Sequence, residues 1–156
     1  MINLERRKAL KMGGGIGLLG LLAAVGVVRP GMVLAEGEKS AFAAKTLEEA
    51  LDALGVTAPQ SSESVLLTVP EIAEDSSVVP VIVASSLPKT QEIHILVEKN
   101  PTPLAANFVF PEGTEGFINT RVKMKETSMV VALVKADGKF YRVGKTVKVT
   151  KGGCGG

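Results

Sequence analysis

Cysteine, histidine and aromatic side chains are the scarce residues of this 156-residue chain, which has one Cys, one His, one Tyr, five Phe and no Trp. Each scarcity excludes a class of protein. A lone cysteine closes no internal disulfide. One His and one Cys do not assemble a zinc or haem site from nitrogen and sulfur ligands, so no cofactor of its own is expected. An aromatic content of 4% leaves little on which to stack bases and argues against a single-stranded nucleic-acid surface. The length suits one domain with a modest core and is short for two.

The hydrophobic residues that are present, 46% of the chain, are unevenly placed. Residues 1–35 read as an export signal. The basic stretch Arg6, Arg7, Lys8 and Lys11 precedes an apolar run over 12–28, followed by Arg29-Pro30-Gly31 and the small-residue site Val33-Leu34-Ala35. Cleavage is expected after Ala35. A transmembrane helix is the poorer reading, because the run is at the short limit for a span and carries six glycines. The order Glu5-Arg6-Arg7-Lys8-Ala9-Leu10-Lys11 resembles a twin-arginine signal, with Ala9 and Glu5 off the usual pattern. That route exports folded proteins to the periplasm, and for a small domain without a cofactor it points to travel with a partner.

Removing the signal inverts the charge. The whole chain has 18 basic and 16 acidic residues, whereas residues 36–156 hold 13 and 15. The imbalance is also regional, with four Lys/Arg against 13 Asp/Glu over 36–120 and nine against two over 121–156. Two outcomes remain open at this stage. The basic C-terminal third either attracts anionic ligands or acidic surfaces, or is cancelled where strands bring both signs together.

Residues 40–54 carry the one clear helix pattern. Thr46-Leu47-Glu48-Glu49 has capping-box spacing, Leu47, Ala50, Leu51 and Leu54 share a face, and Gly55 follows as the terminator. The stripe reads as a docking face for the domain or for a partner. From Val65 onward, β-branched runs alternate with turn residues, predicting strands over 65–69, 78–85, 92–98, 105–110, 119–124, 128–135 and 139–150. Pro80 implies an edge strand or a bulge in the second. Asp137-Gly138 predicts a two-residue hairpin between the last two. About seven short strands describe an all-β fold, an immunoglobulin-like β-sandwich. In the third strand the alternation turns Ile93, Ile95 and Val97 inward and Glu92, His94 and Glu98 outward, which makes His94 a solvated surface residue.

The chemistry lies at the end. The last strand runs through Lys148 and Lys151 into Gly152-Gly153-Cys154-Gly155-Gly156. Glycine has no side chain to pack and the widest backbone freedom, so the sole thiol is read as the tip of a flexible arm, free to enter a narrow cleft. An exposed free thiol in an oxidising compartment is a liability without a use. A self-contained Cys-His hydrolase is excluded, because such an arm cannot hold its nucleophile at a set distance from His94, the only candidate base. Lys148 and Lys151 give electrostatic support to the thiolate and to an anionic adduct. The expected organisation is therefore a signal over 1–35, a helix and linker over 36–64, a sandwich over 65–151 and an arm over 152–156.

The terminal Gly152-Gly153-Cys154-Gly155-Gly156 resembles the substrate-binding tail of the SoxY family, sulfur-carrier subunits of the periplasmic thiosulfate-oxidation system. Further stretches are similar: 69–75 (VPEIAED), 79–81 (VPV), 98–105 (EKNPTPLA) and 120–124 (TRVKM). The resemblance implies a heterodimer with a SoxZ-like subunit, in which Cys154 holds thiosulfate-derived sulfur covalently. It implies service by a c-type cytochrome (SoxXA), a sulfate-releasing hydrolase (SoxB) and, in some pathways, a sulfane dehydrogenase (SoxCD), the chain itself being no enzyme. Two other classes stand beside it. One is a ubiquitin-like sulfur carrier activated at its C-terminal glycine, the other a structural sandwich using Cys154 for an intermolecular disulfide. The face taken by a partner subunit is open between the helix at 47–54 and the strand with Pro80.

Overall fold

A computed structural model describes residues 30–150. The signal segment up to residue 29, and Lys151 with the Cys154 tail, lie outside the described residues. The chain divides into two units, Met1–Leu34 and Ala35–Gly156, and the fold below is that of the second.

Two helices precede the strands, α1 (Pro30–Ala43) and α2 (Leu47–Ala53). A single helix over 40–54 was the expectation. The chain breaks instead at Thr46, whose extended backbone (φ −123°, ψ 159°) makes it the N-cap of α2. Its Oγ1 accepts from Glu49 N at 3.1 Å, while Glu49 Oε2 accepts from Lys45 N at 2.8 Å. The capping box thus satisfies donors in the gap itself, and this local bonding competes with a continuous helical ladder. Gly55, at φ 71°, ends α2 and lets Val56 N reach Leu51 O at 3.0 Å.

Eight strands follow: β1 (Val65–Thr68), β2 (Ile72–Ala73), β3 (Val79–Ser85), β4 (Thr90–Val97), β5 (Leu104–Val109), β6 (Gly116–Val122), β7 (Ser128–Ala136) and β8 (Lys139–Val149). They form two sheets, β1-β3-β6 and β2-β8-β7-β4-β5. All pairings are antiparallel except β2 with β8. The sandwich of the sequence reading is present, with β2 as an additional strand too short for periodicity to reveal. Asp137 and Gly138, at φ 47° and 72°, make the two-residue hairpin, with Ala136 opposite Lys139.

Pro80 does not lie on an edge strand, since β3 is the centre of its sheet. Its missing N–H is tolerated because β1 reaches only to Ile82 of β3, leaving Pro80 paired with Arg121 of β6 alone. The edge is local.

The principal core lies between the sheets, where Val79, Val81 and Val83 of β3 meet Ile93, Ile95 and Val97 of β4 and Val130, Ala132 and Val134 of β7. A second cluster covers the opposite face of the five-stranded sheet. Ala41, Ala44, Leu47 and Ala50 pack there on Leu96, Leu104, Val131 and Leu133. The stripe on α2 is therefore spent within the domain and is not a free partner face. Burying each of its larger side chains contributes about 2 kcal/mol.

Candidate functional site

The tail leaves from the C-terminal end of β8, and that end is held on both sides. Lys148 N donates to Glu71 O at 2.9 Å and Thr150 N to Ala73 O at 3.2 Å, which is how β2 grips the strand. From another direction Val149 N donates to Thr127 Oγ1 at 3.0 Å. The last described residue is thus tied down. Cys154 lies four residues further on, a contour of at most about 14 Å.

Two turns frame this pole. Asn100 bridges from the β4–β5 turn to the β6–β7 turn, its Nδ2 donating to Lys123 O at 2.8 Å and its Oδ1 accepting from Lys125 N at 2.9 Å. Lys99 N donates to Ser128 Oγ at 3.0 Å, and Met124, fully buried, donates its backbone N–H to Ser76 O at 2.8 Å. The segments singled out at 69–75, 79–81, 98–105 and 120–124 therefore converge on the end of the sandwich from which the tail departs. Periodicity identified the strands but not this clamp. The turn Asn100-Pro101 was its visible signal, because Asn amides readily bond nearby backbone.

The pole is mixed in charge. Lys99, Lys123, Lys125 and Lys148 are exposed beside Glu71, Glu74 and Asp75. Hydrogen bonds from the Ser77 hydroxyl and backbone N–H, 2.6 and 2.8 Å from Asp75 Oδ1, hold the Asp75 carboxyl below its usual range. Lys148 lies opposite Ile72 of β2, at the root of the tail.

His94 is the clear departure from the sequence reading. It is fully buried, because the outer face of β4 is roofed by the helices rather than by water. Its Nε2 lies 3.2 Å from Glu92 Oε2, and Lys135 Nζ donates to Glu92 Oε1 at 2.8 Å. The neighbouring imidazole, opposed by burial and assisted by the Lys135 ammonium, holds the Glu92 carboxyl down to about 2. The imidazole contact is one of proximity, since neither ring nitrogen has an aligned hydrogen-bond partner among the described residues. Cross-strand from His94 stands Asn107, whose Nδ2 donates to Glu38 Oε1 of α1 at 2.7 Å. His94 belongs to the polar seam under α1, away from the tail root.

Among the described residues no group of three or more His, Cys, Asp and Glu is arranged to hold a metal, and no helix is long and apolar enough to cross a membrane.

Residues 50–154 match the family model described as sulfur oxidation protein SoxY. No curated protein matches the chain significantly. Among solved structures, the sulfur carrier protein SoxY from Chlorobium limicola f thiosulfatophilum is 36% identical, with a TM-score of 0.61, over 67% of this chain and 96% of its own. A superoxide reductase (neelaredoxin) from Ignicoccus hospitalis shares the fold at 16% identity and a TM-score of 0.51, over 56% of this chain and 81% of its own. The match of residues 50–154 to the family model, together with the 36% identical SoxY structure covering 67% of the chain, places the chain in the SoxY family of sulfur oxidation proteins.

Proposed function

We propose that the chain carries sulfur intermediates of periplasmic thiosulfate oxidation covalently on Cys154 and presents them in turn to the enzymes that transform them. The single observation that carries this reading is the pairing of an anchored root with a bare end. The chain is hydrogen-bonded through β8 to Thr150, and after Lys151 the sequence is glycine on both sides of one thiol. Glycine flanks leave no side chain to obstruct a narrow active site. Tethering keeps the thiol at high local concentration for an enzyme docked on the domain.

The chemistry needs only the thiol from this chain. In the loading step the thiolate sulfur bonds to the terminal sulfur of thiosulfate. Two electrons leave to a c-type cytochrome partner, the thiol proton is released, and a cysteine S-thiosulfonate results. Hydrolysis by a partner enzyme then breaks the bond between the sulfane sulfur and the sulfonate group. Water supplies the fourth oxygen of sulfate, two protons are released, and a persulfide anion stays on Cys154. Where a sulfane dehydrogenase is present, it oxidises that remaining sulfur. Lys148 and Lys151 favour the thiolate and the anionic adducts by a screened field at the root of the tail.

Export by a twin-arginine signal cleaved after Ala35, and pairing with a SoxZ-like subunit, belong to the same proposal. The two-sheet sandwich lacks the single mixed sheet with a packed helix that a ubiquitin-like carrier has. Replacement Cys154→Ser tests the reading, with thiosulfate-dependent electron transfer measured in the reconstituted system. Loss of transfer is the expected result, and undiminished transfer would refute it.

A further inference from the structure

The two sheets differ on their outer sides. The five-stranded sheet buries Leu96, Leu104, Val131 and Leu133 in one cluster with Ala41, Ala44, Leu47 and Ala50 of the helical segment. The outward residues of the three-stranded sheet β1-β3-β6 stay accessible.

Register shows what that accessible face is made of. Val65, Leu67, Val81, Val83, Ile118 and Val122 point into the main core, so the residues alternating with them point out. Leu66 pairs with Ala84 and Ala84 with Phe117, which makes one transverse row. Thr68, Ile82 and Asn119 make the next, and Pro80 with Arg121 a third. Leu66 is 59% exposed, Phe117 50% and Val78, just before β3, 49%. An antiparallel sheet with one solvated face ordinarily turns polar residues outward. This one turns out leucine, isoleucine, proline, alanine and phenylalanine, and Arg121 is the sole charge in the three rows.

Size and charge describe the occupant. The seven paired residues of β3 and β6 run about 20 Å, and three strands are about 14 Å wide, a footprint of about 300 Å². A protein interface takes about 800 Å² per partner, with an apolar centre inside a polar rim. The patch is the right size for such a centre. Arg121 makes no salt bridge among the described residues, so a partner that buries it must bring a carboxylate. The same rows of a second copy would bring another Arg121 and no carboxylate, which makes a different chain the better complement.

We infer that the outer face of β1-β3-β6 is the docking surface for the companion subunit of the heterodimer, which lays an apolar surface over Leu66, Ile82 and Phe117 and a carboxylate against Arg121. The inference rests on the proposed pairing with a SoxZ-like subunit and assigns the face that pairing uses. Of the two surfaces open in the sequence, the stripe on α2 is consumed inside the domain, which leaves the sheet that contains Pro80. β8 belongs to the other sheet, so a subunit seated here need not cover the strand that leads to the tail.

The test is hydroxyl-radical footprinting of the full chain, alone and as the complex co-purified with a co-expressed SoxZ-like subunit. Labelling of Leu66, Val78 and Phe117 is expected to fall about tenfold or more in the complex. Phe42 of α1 and Val109 of β5, exposed elsewhere, keep their labelling and serve as internal controls. Leu66→Glu with Phe117→Glu changes only exposed side chains and should weaken association about thirtyfold or more, with the denaturation midpoint of the isolated chain unchanged. Arg121→Glu should weaken it about tenfold. A heterodimer that leaves Leu66 and Phe117 labelled, or that protects Phe42 and Val109 in their place, would overturn the inference while leaving the pairing intact. So would undiminished association of either variant. Concentration-dependent protection in the isolated chain would give the face to a second copy, and failure to form any heterodimer would overturn face and pairing together. None of these readouts involves Cys154, so the covalent carrier reading stands or falls separately.

Discussion

Glu92 shows how a single side chain reports on its surroundings. Its carboxyl titrates at about 2 instead of the ordinary 4.5, with His94 beside one oxygen and Lys135 bonded to the other. A carboxyl whose folded value is depressed stabilises the fold above its unfolded value, and the contribution is lost as pH falls from about 4.5 through about 2. Because Lys135 provides the aligned bond and the site is partly wet, the contribution at neutral pH is about 2 kcal/mol. Chemical denaturation at pH 6 and pH 3 checks this. Glu92→Gln should lower stability at pH 6 by about that amount and narrow its gap from the native chain at pH 3. Alternation identified the correct core face of β4 at this scale, because Ile93, Ile95 and Val97 do enter the main core. It misplaced His94, because a period of two says which residues share a face and not what covers that face. Glu92 and Glu98 on either side made it look solvated.

At the scale of elements, the helices explain that error. The stripe on α2 was legible, as were its cap at Thr46 and its end at Gly55, but its partner was not. Neither helix nor strand carries a local mark saying that Leu47 joins Leu96 and Leu133 in one buried cluster. Replacement Leu47→Ala should cost about 3 kcal/mol, from lost burial and the cavity left behind, and should lower the denaturation midpoint without changing the slope. β2 was illegible for another reason: two residues have no periodicity, and the strand is defined only by its bonds to β8. The clamp at the tail root is also made of elements brought together from distant sequence. Asn100→Ala removes both of its bonds to the 123–125 turn and should destabilise the fold by about 2 kcal/mol. Faster amide exchange is then expected at Lys125 and Met124, with exchange in the β7–β8 hairpin around Asp137 unchanged.

At the scale of the whole molecule, the sandwich is a support with a defined exit point. The hairpin at Asp137 and Gly138 was readable because positive φ at two successive residues demands such a pair. The hydrophobic runs indicated two sheets. What they could not indicate was that four separated segments gather at one pole, since that depends on strand order. The basic surplus of residues 121–156 is likewise distributed by the fold, with part of it along β8 and part on the turns at the pole, where Glu71, Glu74 and Asp75 are also exposed. The central claim concerns what the tail holds. Mass spectrometry of the full chain after loading with thiosulfate and the oxidised cytochrome partner tests it most directly. The prediction is a thiosulfonate adduct on the peptide containing Cys154, absent from Cys154→Ser. An adduct on Gly156, or sustained electron transfer with Cys154 unmodified throughout, would contradict it.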